Sequence, residues 1–413
     1  MTEAQKLADY YKMLRKPFTK LVWLRFLNPD GSTAFSLDNS AQNSKSANFI
    51  SDGSISVNLQ NGQRRTANVT LSNVDGQYDY NVNKLWFGTE IALDEGLILS
   101  DGTEYYFQQG VFLIETPTES VFPNGRTVTL NLVDKWAKLD GTLGGNLEGT
   151  YQVAAGVNIY RPIAALLQED AGNGYPIDRV LPVFTEYYNG KTQALPDGST
   201  ANLTDTPYTL TVEAGQTKAD VILGLSGMVN AWTGYDRTGA LRLEASQDDI
   251  LDSDKPLSWQ FSMEDTLILG ASYQVLNTQV YNDYIVVGET LSGYAQPSGR
   301  AENLDPQSDT NIGLIGRKTL WVQQSGFYTD TMCRDYAEWK LKRAAALQKA
   351  VTISCGQMFH LEENTIVTIV RTDKPGAPVE RHLVMGFSRP LSSTGEMTVN
   401  AVSVQDFPIA TVS

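Results

Sequence analysis

The chain has 413 residues, 41 % of them apolar, enough for two or three domains with sizeable cores and too many for a disordered polymer. Lys plus Arg number 32 against 47 Asp plus Glu, and the resulting formal charge of −15 disfavours stable binding to DNA, RNA or anionic lipid. Two histidines and two cysteines cannot build a zinc finger, an iron–sulfur cluster or a multi-bridge disulfide scaffold, so no cofactor is expected, and Cys333 and Cys355 read as buried free thiols.

Residues 1–20 carry Lys6, Lys12, Arg15, Lys16 and Lys20 without a continuous apolar run, which predicts a helical arm and no secretory signal. No stretch reaches the roughly 18–20 apolar residues that span a bilayer. Residues 21–140 predict an all-β unit. Asp-Gly at 30, 52, 75 and 101 and Asn-Gly at 61 and 124 punctuate alternating runs such as Ile55–Leu59, Val69–Leu71 and Thr127–Val133, the pattern of antiparallel hairpins. Residues 141–262 predict an α+β middle domain. Its helices are a short one at 161–167 and a stronger one capped by Thr217 and Asp220, with an apolar face running from Val221 to Trp232. A strand at 241–243 and a polar loop at 185–206 complete that domain. Residues 263–413 return to β, with strands on either side of Asn282-Asp283, a polar loop at 292–312, a helix at about 330–348 and strands at 364–372, 382–389 and 396–405.

The closing strands repeat the end of the first β-unit. Phe112-Leu113-Ile114, Pro117, a hairpin, the strand Val128–Val133 and Asp134 are matched by Met385-Gly386-Phe387, Pro390, a hairpin, the strand Thr398–Val404 and Asp406. The fold class that follows is mainly β with an α+β middle domain, two similar small antiparallel barrels in one chain.

In this order of domains the chain resembles the hub proteins of phage tails, baseplates and related contractile injection machines. The resemblance is carried by Asn73, Asp75 and Gly76 after the strand Ala67–Ser72, by Gly88–Leu93, by Gly110 in Gln109–Ile114, by Gly239 in the Trp232–Leu243 segment and by Gly288 closing Tyr281–Val287. It extends to the repeat residues Pro117, Asp134, Pro390 and Asp406. The resemblance implies a homotrimer whose two barrels per chain make a pseudo-hexameric ring. Such a ring joins a tail tube or distal tail ring to a central spike or fibre and lets DNA pass. It implies a virion tail-tip location after assembly in the bacterial cytoplasm, and a structural role without catalysis. The N-terminal arm is a departure from this pattern.

Chemistry is sparse. His360-Leu361-Glu362 has half of a zinc-deaminase motif, but no Pro-Cys-x-x-Cys follows, so it reads as a polar turn. No Gly-x-Ser-x-Gly elbow or phosphate loop is present. Asp248, Asp249, Asp252 and Asp254 crowd one segment without the order of a calcium loop and read as a solvated loop, an acidic lining or an interface. The rival functions are a glycan- or receptor-binding tail protein and a peptidoglycan hydrolase using that acidic cluster.

Overall fold

The computed structural model describes residues 1–413 except 40–49, 75, 80–86, 124, 195–198, 230, 246–255, 276–279, 291–294, 307, 325–326, 347–348 and 404–413. Helix α1 (Glu3–Met13) starts in a capping box: the Thr2 hydroxyl accepts from the Gln5 N–H, and the Gln5 side chain accepts from the Thr2 N–H at 2.8 Å. The first β-unit follows as β1 (Lys20–Leu27), β2 (Thr33–Asp38), β3 (Ile50–Asn58), β4 (Arg65–Ser72), β5 (Glu90–Ile98), β6 (Glu104–Phe122) and β7 (Gly125–Asp134). The middle region holds β8 (Tyr151–Val153), α2 (Tyr160–Leu167), β9 (Val183–Phe184), β10 (Thr192–Ala194), β11 (Thr200–Asn202), β12 (Leu210–Val212), α3 (Lys218–Gly227), β13 (Trp232–Tyr235) and β14 (Leu241–Glu244). The second β-unit opens with β15 (Leu257–Ser262) and β16 (Ile268–Val275). An insert follows, made of β17 (Asp283–Val287), β18 (Ser298–Glu302), α4 (Ile312–Ile315), β19 (Thr319–Gln323) and α5 (Asp330–Ala346). The unit closes with β20 (Lys349–Cys355), β21 (Ile366–Val370), β22 (Val379–Pro390) and β23 (Met397–Ser403).

Among the described residues, one sheet of 13 strands takes in both ends of the chain. Its strands alternate as half-buried strands must: in β4, Arg65, Ala67, Val69 and Leu71 point inward while Thr66 and Asn68 face solvent. Leaving aside β2, which adds to the outer edge of β1, the first unit has the strand order β3-β4-β7-β6-β5-β1, and the second has β16-β20-β23-β22-β21-β15. Numbered within each unit, these are the same order. Two bulges agree as well, although the slips at Leu93–Asp94 against β6 and at Leu257–Trp259 against β21 have no counterpart in the other unit. Pairing slips between Ile50 and Asp52 against β4, and between Ile268 and Gly270 against β20. It slips again between Ile114 and Thr116 against β7, and between Val384 and Gly386 against β23. Bulges bend and re-aim a strand, so their recurrence at matching points shows one design used twice.

In the frame these bulges set, Thr129–Asp134 corresponds to Thr398–Ser403, and Pro390 takes the place of Ser120. The two prolines therefore stand three residues apart in the repeat. The reason lies in the hairpins: β6 runs to Phe122 before a tight turn into Gly125, whereas β22 stops at Pro390 and β23 starts at Met397.

The two units are joined edge to edge. β22 pairs antiparallel with β3 through Phe387↔Val57, Ser388↔Ser56 and Arg389↔Ile55. One apolar core runs beneath both, from Val22, Phe26, Ile55 and Leu130 to Phe261, Ile353, Phe387 and Val399. Tyr10 of α1 is fully buried in it, so the arm packs on the core.

The middle region has its own core of Leu139, Ile163, Leu166, Val221, Ile222, Leu225 and Tyr235. α3 begins at the expected Thr217–Asp220 capping box but ends at Gly227. Trp232 opens β13, whose next N–H, that of Thr233, is drawn by the Asn61 side chain at 2.9 Å. The 185–206 segment contains the β10·β11 hairpin. The 292–312 segment contributes β18 and the start of α4, since β18 gains a partner in β17 and packs under α5. Gly299 permits that approach, because a Cβ there would meet the Arg334 N–H at 2.1 Å. β16 and β17, the strands near Asn282-Asp283, lie in different sheets. Cys333 and Cys355 are free and buried, and burial pushes their thiols up to about 11 and about 12.

Candidate functional site

Among the described residues, buried charges cluster at the seam between the two β-units. Lys20 on β1 and Glu95 on β5 meet at 2.7 Å, both buried, and Glu95 accepts from Arg389 Nε of β22 at 2.6 Å. Arg389 also donates to the Met358 carbonyl and to the Gln109 side chain, and Lys20 donates to Gln357 at 2.5 Å and to the Pro390 carbonyl at 2.6 Å. On the same Gln109, Arg65 of β4 donates to the backbone carbonyl at 2.9 Å, and it pairs with Glu363. Its neighbour Arg64 reaches Glu244 of the middle region, also at 2.9 Å. Burial opposes the charge on Glu95, but Arg389 and Lys20 outweigh it and hold the carboxyl below its ordinary range. These pairs bind first unit, second unit and middle region in fixed register, each charge satisfied by a partner from another segment.

The loop from Gly356 to Thr365 is threaded through this seam. The Tyr10 hydroxyl accepts the Phe359 N–H at 2.8 Å and bonds His360 Nδ1 at 3.0 Å. Burial, reinforced by Arg237, keeps the His360 ring neutral and its pKa down to about 3. Glu362 pairs with Arg237 at 2.9 Å. His360 is thus a packed ring among Tyr10, Tyr11 and Trp259, and the expected polar turn is half buried. This geometry offers no exposed base to a nucleophile. Among the described residues no group of three or more His, Cys, Asp or Glu is placed to hold a metal, and no helix is long and apolar enough to cross a membrane.

The residues that carried the sequence resemblance do not form one cluster. Asn73 is buried at the end of β4, where its Oδ1 accepts the Tyr78 N–H and its Nδ2 donates to Asp79. Gly76 follows at φ +68°, a conformation that favours glycine. Asp75 lies outside the described residues, as do Asp406 and all of Asp248, Asp249, Asp252 and Asp254. Gly110 sits in β6 against the Phe112 ring, and Pro117 lies further along that strand, opposite Leu130. Asp134 is the organising carboxylate of the first unit's end. It accepts the N–H groups of Arg64, Arg65 and Trp136 at 2.8, 2.9 and 3.0 Å, while burial pushes its pKa up to about 6. Gly239 makes the β13·β14 turn at φ +78° against Val111. Gly288 abuts the Phe327 carbonyl, and Pro390 pairs with Ser54 across the seam. Of these, Pro390 belongs to the interface between units.

No protein-family model matches the chain, and no curated protein sequence matches it. Solved structures do. The 43 kDa tail protein of prophage MuSo2 from Shewanella oneidensis matches with a TM-score of 0.59 at 11 % identity, over 92 % of this chain and 98 % of that one. The tail protein from Neisseria meningitidis matches with a TM-score of 0.59 at 12 % identity, over 94 % and 97 %. The chain has the fold of phage tail proteins. An Escherichia coli type VI secretion component, described as structurally similar to the T4 tail proteins gp27 and gp5, matches with a TM-score of 0.50 at 10 % identity, over 88 % and 76 %. At these identities the likeness lies in the fold. The mainly β, antiparallel architecture expected from the sequence is the one observed.

Lys20, Glu95, Arg65, Glu363 and Arg389 were missed as a group by sequence reading. Each sits alone in an alternating strand or loop, and nothing local marks it as buried. The available signal was charge at inward positions: Arg65 shares the parity of Ala67 and Val69, and Arg389 that of Phe387.

Proposed function

We propose that this chain is a structural hub of a phage-type tail or baseplate. Three copies would close a ring of six quasi-equivalent β-units between the tail tube, or a distal tail ring, and a central spike or fibre. The observation that carries this reading is the repeat: two units that share the order of six strands and two matching bulges, fused in one chain through β22·β3. A chain holding two similar units converts six-fold into three-fold symmetry without a second gene product. The tail-protein fold supports the location at a virion tail tip, following assembly in the host bacterial cytoplasm. The domain reading is a helical arm at 1–20, a first barrel at 21–140, a middle domain at 141–262 and a second barrel at 263–413. Asp134, Gly239 and the other motif residues act as structural markers of it.

The role is non-enzymatic in this proposal, and DNA is a passenger. Three copies at −15 each give about −45, a charge that lets nucleic acid traverse a channel without adhering. Native mass spectrometry and negative-stain imaging test the reading: trimers and rings are expected. A stable monomer that is retained on a glycan array would move it to a receptor-binding tail protein. Clearing of peptidoglycan in a zymogram, abolished by Asp249→Asn, would move it to a hydrolase.

A further inference from the structure

We propose that the cleft between the middle region and the β17–α5 insert binds an uncharged pyranose sugar carrying an N-acetyl group. This site does not rest on the ring reading, because one chain supplies every wall of the cleft. Two segments far apart in sequence build it. From the middle region come Tyr187 and Lys191, in the stretch leading into β10, and Met228, which caps the end of α3. From the insert come Phe327 and the first turns of α5. The two sides also touch through Tyr208 and Tyr328, whose rings meet edge to face at 5.6 Å.

Helix α5 faces two ways. Cys333, Ala337 and Leu341 recur every four residues and are buried with Tyr284 and Val286 of β17 and Ala301 of β18. Met332, Asp335 and Tyr336 follow the i, i+3, i+4 spacing of a neighbouring face and line the cleft instead. The hollow measures about 410 Å³, within the roughly 300–1,000 Å³ that small-molecule sites occupy.

Its lining matches the two-sided chemistry of a sugar. A pyranose has a face of C–H bonds, which packs on aromatic rings, and a rim of hydroxyls that both donate and accept. The rings of Tyr187, Phe327 and Tyr336 are partly buried, so each keeps some surface open to the hollow. Met228 and Met332 add soft apolar surface where the methyl of an acetamido group fits. The polar groups are uncommitted. Asp335 is exposed and makes no hydrogen bond or ion pair among the described residues. Among those residues the Tyr187 hydroxyl also has no partner, and the Lys191 ammonium forms no ion pair. Carboxylate, hydroxyl and ammonium thus surround one hollow, each free to bond a sugar hydroxyl.

Charge decides against other occupants. Aromatic rings beside a carboxylate also suit a quaternary ammonium, but the cation position is taken: Lys191 Nζ lies over the Tyr187 ring at 3.1 Å. An anionic polysaccharide would approach a chain of formal charge −15 and meet the unpaired Asp335. An uncharged sugar meets neither obstacle.

Saturation-transfer NMR on the full chain tests the site, with N,N′-diacetylchitobiose as the probe and maltose as a disaccharide without acetamido groups. Transfer is expected to be strongest at the acetamido methyl and the C–H face of the ring, with maltose bound about tenfold more weakly. Asp335→Ala removes a carboxylate that supports no other group and should weaken binding about tenfold. Tyr187→Ala should abolish transfer while the far-ultraviolet circular dichroism stays unchanged. Glu148→Ala, an exposed carboxylate outside the cleft, should alter nothing. No transfer to diacetylchitobiose, or transfer that both cleft variants leave unchanged, would overturn the site. Equal binding of maltose would overturn the N-acetyl assignment. Tetramethylammonium that displaces the sugar and itself depends on Asp335 would overturn the ligand class. A chain that binds the sugar but stays monomeric would leave the site standing and overturn the ring alone.

Discussion

The two β-units are the same construction under different loads. They share the order of six strands and two bulges, yet their outer strands join differently: β1 runs antiparallel to β5, whereas β15 runs parallel to β21. The first unit links β3 and β4 by a short turn through Asn61-Gly62, where Gly62 adopts φ +94°. The second places the whole β17–α5 insert at that point. The β-order is thus the conserved element of the design, and loops and crossovers are where the halves diverge. Burial differs too. Arg389 and its first-unit counterpart Glu119 occupy equivalent places on β22 and β6. Arg389 is buried beneath β3, while Glu119 stays partly exposed against Arg126. One scaffold position is a buried seam charge in one unit and a surface charge in the other, because only one of the two edges is covered within the chain.

The sharpest way to break this equivalence is to remove the seam charge. Arg389→Ala would leave Glu95 buried with Lys20 as its remaining cation and is expected to cost about 3–5 kcal/mol, whereas Glu119→Ala should cost under about 1 kcal/mol. Urea unfolding of both variants checks the pair, and equal losses would mean that the seam charges carry no special weight. Next comes the end of the strand that follows. Asp134→Ala strands the N–H groups of Arg64, Arg65 and Trp136 and should cost about 2–3 kcal/mol. The matching Ser403→Ala should cost less than about 0.5 kcal/mol.

Acidity separates the regions further. The folded-state pKa of Asp134 is raised to about 6 from an ordinary value of 3.8. Its ionised form is therefore opposed by folding, and the wild type should gain about 1 kcal/mol between pH 7 and pH 5, an increment missing from Asp134→Asn. Asp283 in the insert behaves oppositely. Burial opposes its charge, but Arg300, Thr319 and Arg317 hold its pKa down to about 2. Its contribution is complete above about pH 4 and is lost as the pH falls toward 2, so the insert should become sensitive to an acid protease in that window before the main sheet does. The smallest effect concerns the thiols: Cys333 and Cys355 should resist a thiol reagent in the folded chain and react together on denaturation, by absorbance.

Local chemistry read from the chain reached real elements. The Thr217–Asp220 cap, the Asn61-Gly62 and Asp101-Gly102 turns and the alternation of β3, β4 and β7 all depend on contacts within a few residues, so their residues announce them. Asp52-Gly53 shows the limit of that reasoning: it lies inside β3, just past the bulge, where a turn dipeptide relieves a strand slip. The Trp232 end of α3 and the 292–312 loop went astray for a related reason. Asn61 and β17, which capture those segments, are far away in sequence.

The sequence by itself determined the β character and the two-fold repetition, because periodicity and turn residues are written along the chain. The tertiary structure decided that the two units share one sheet and one core, that isolated charges from β1, β4, β5, β22 and a loop meet as buried pairs, and which register the repeat obeys. Those are facts of long-range strand pairing, and a strand's partner is set by edges that only the folded chain brings together.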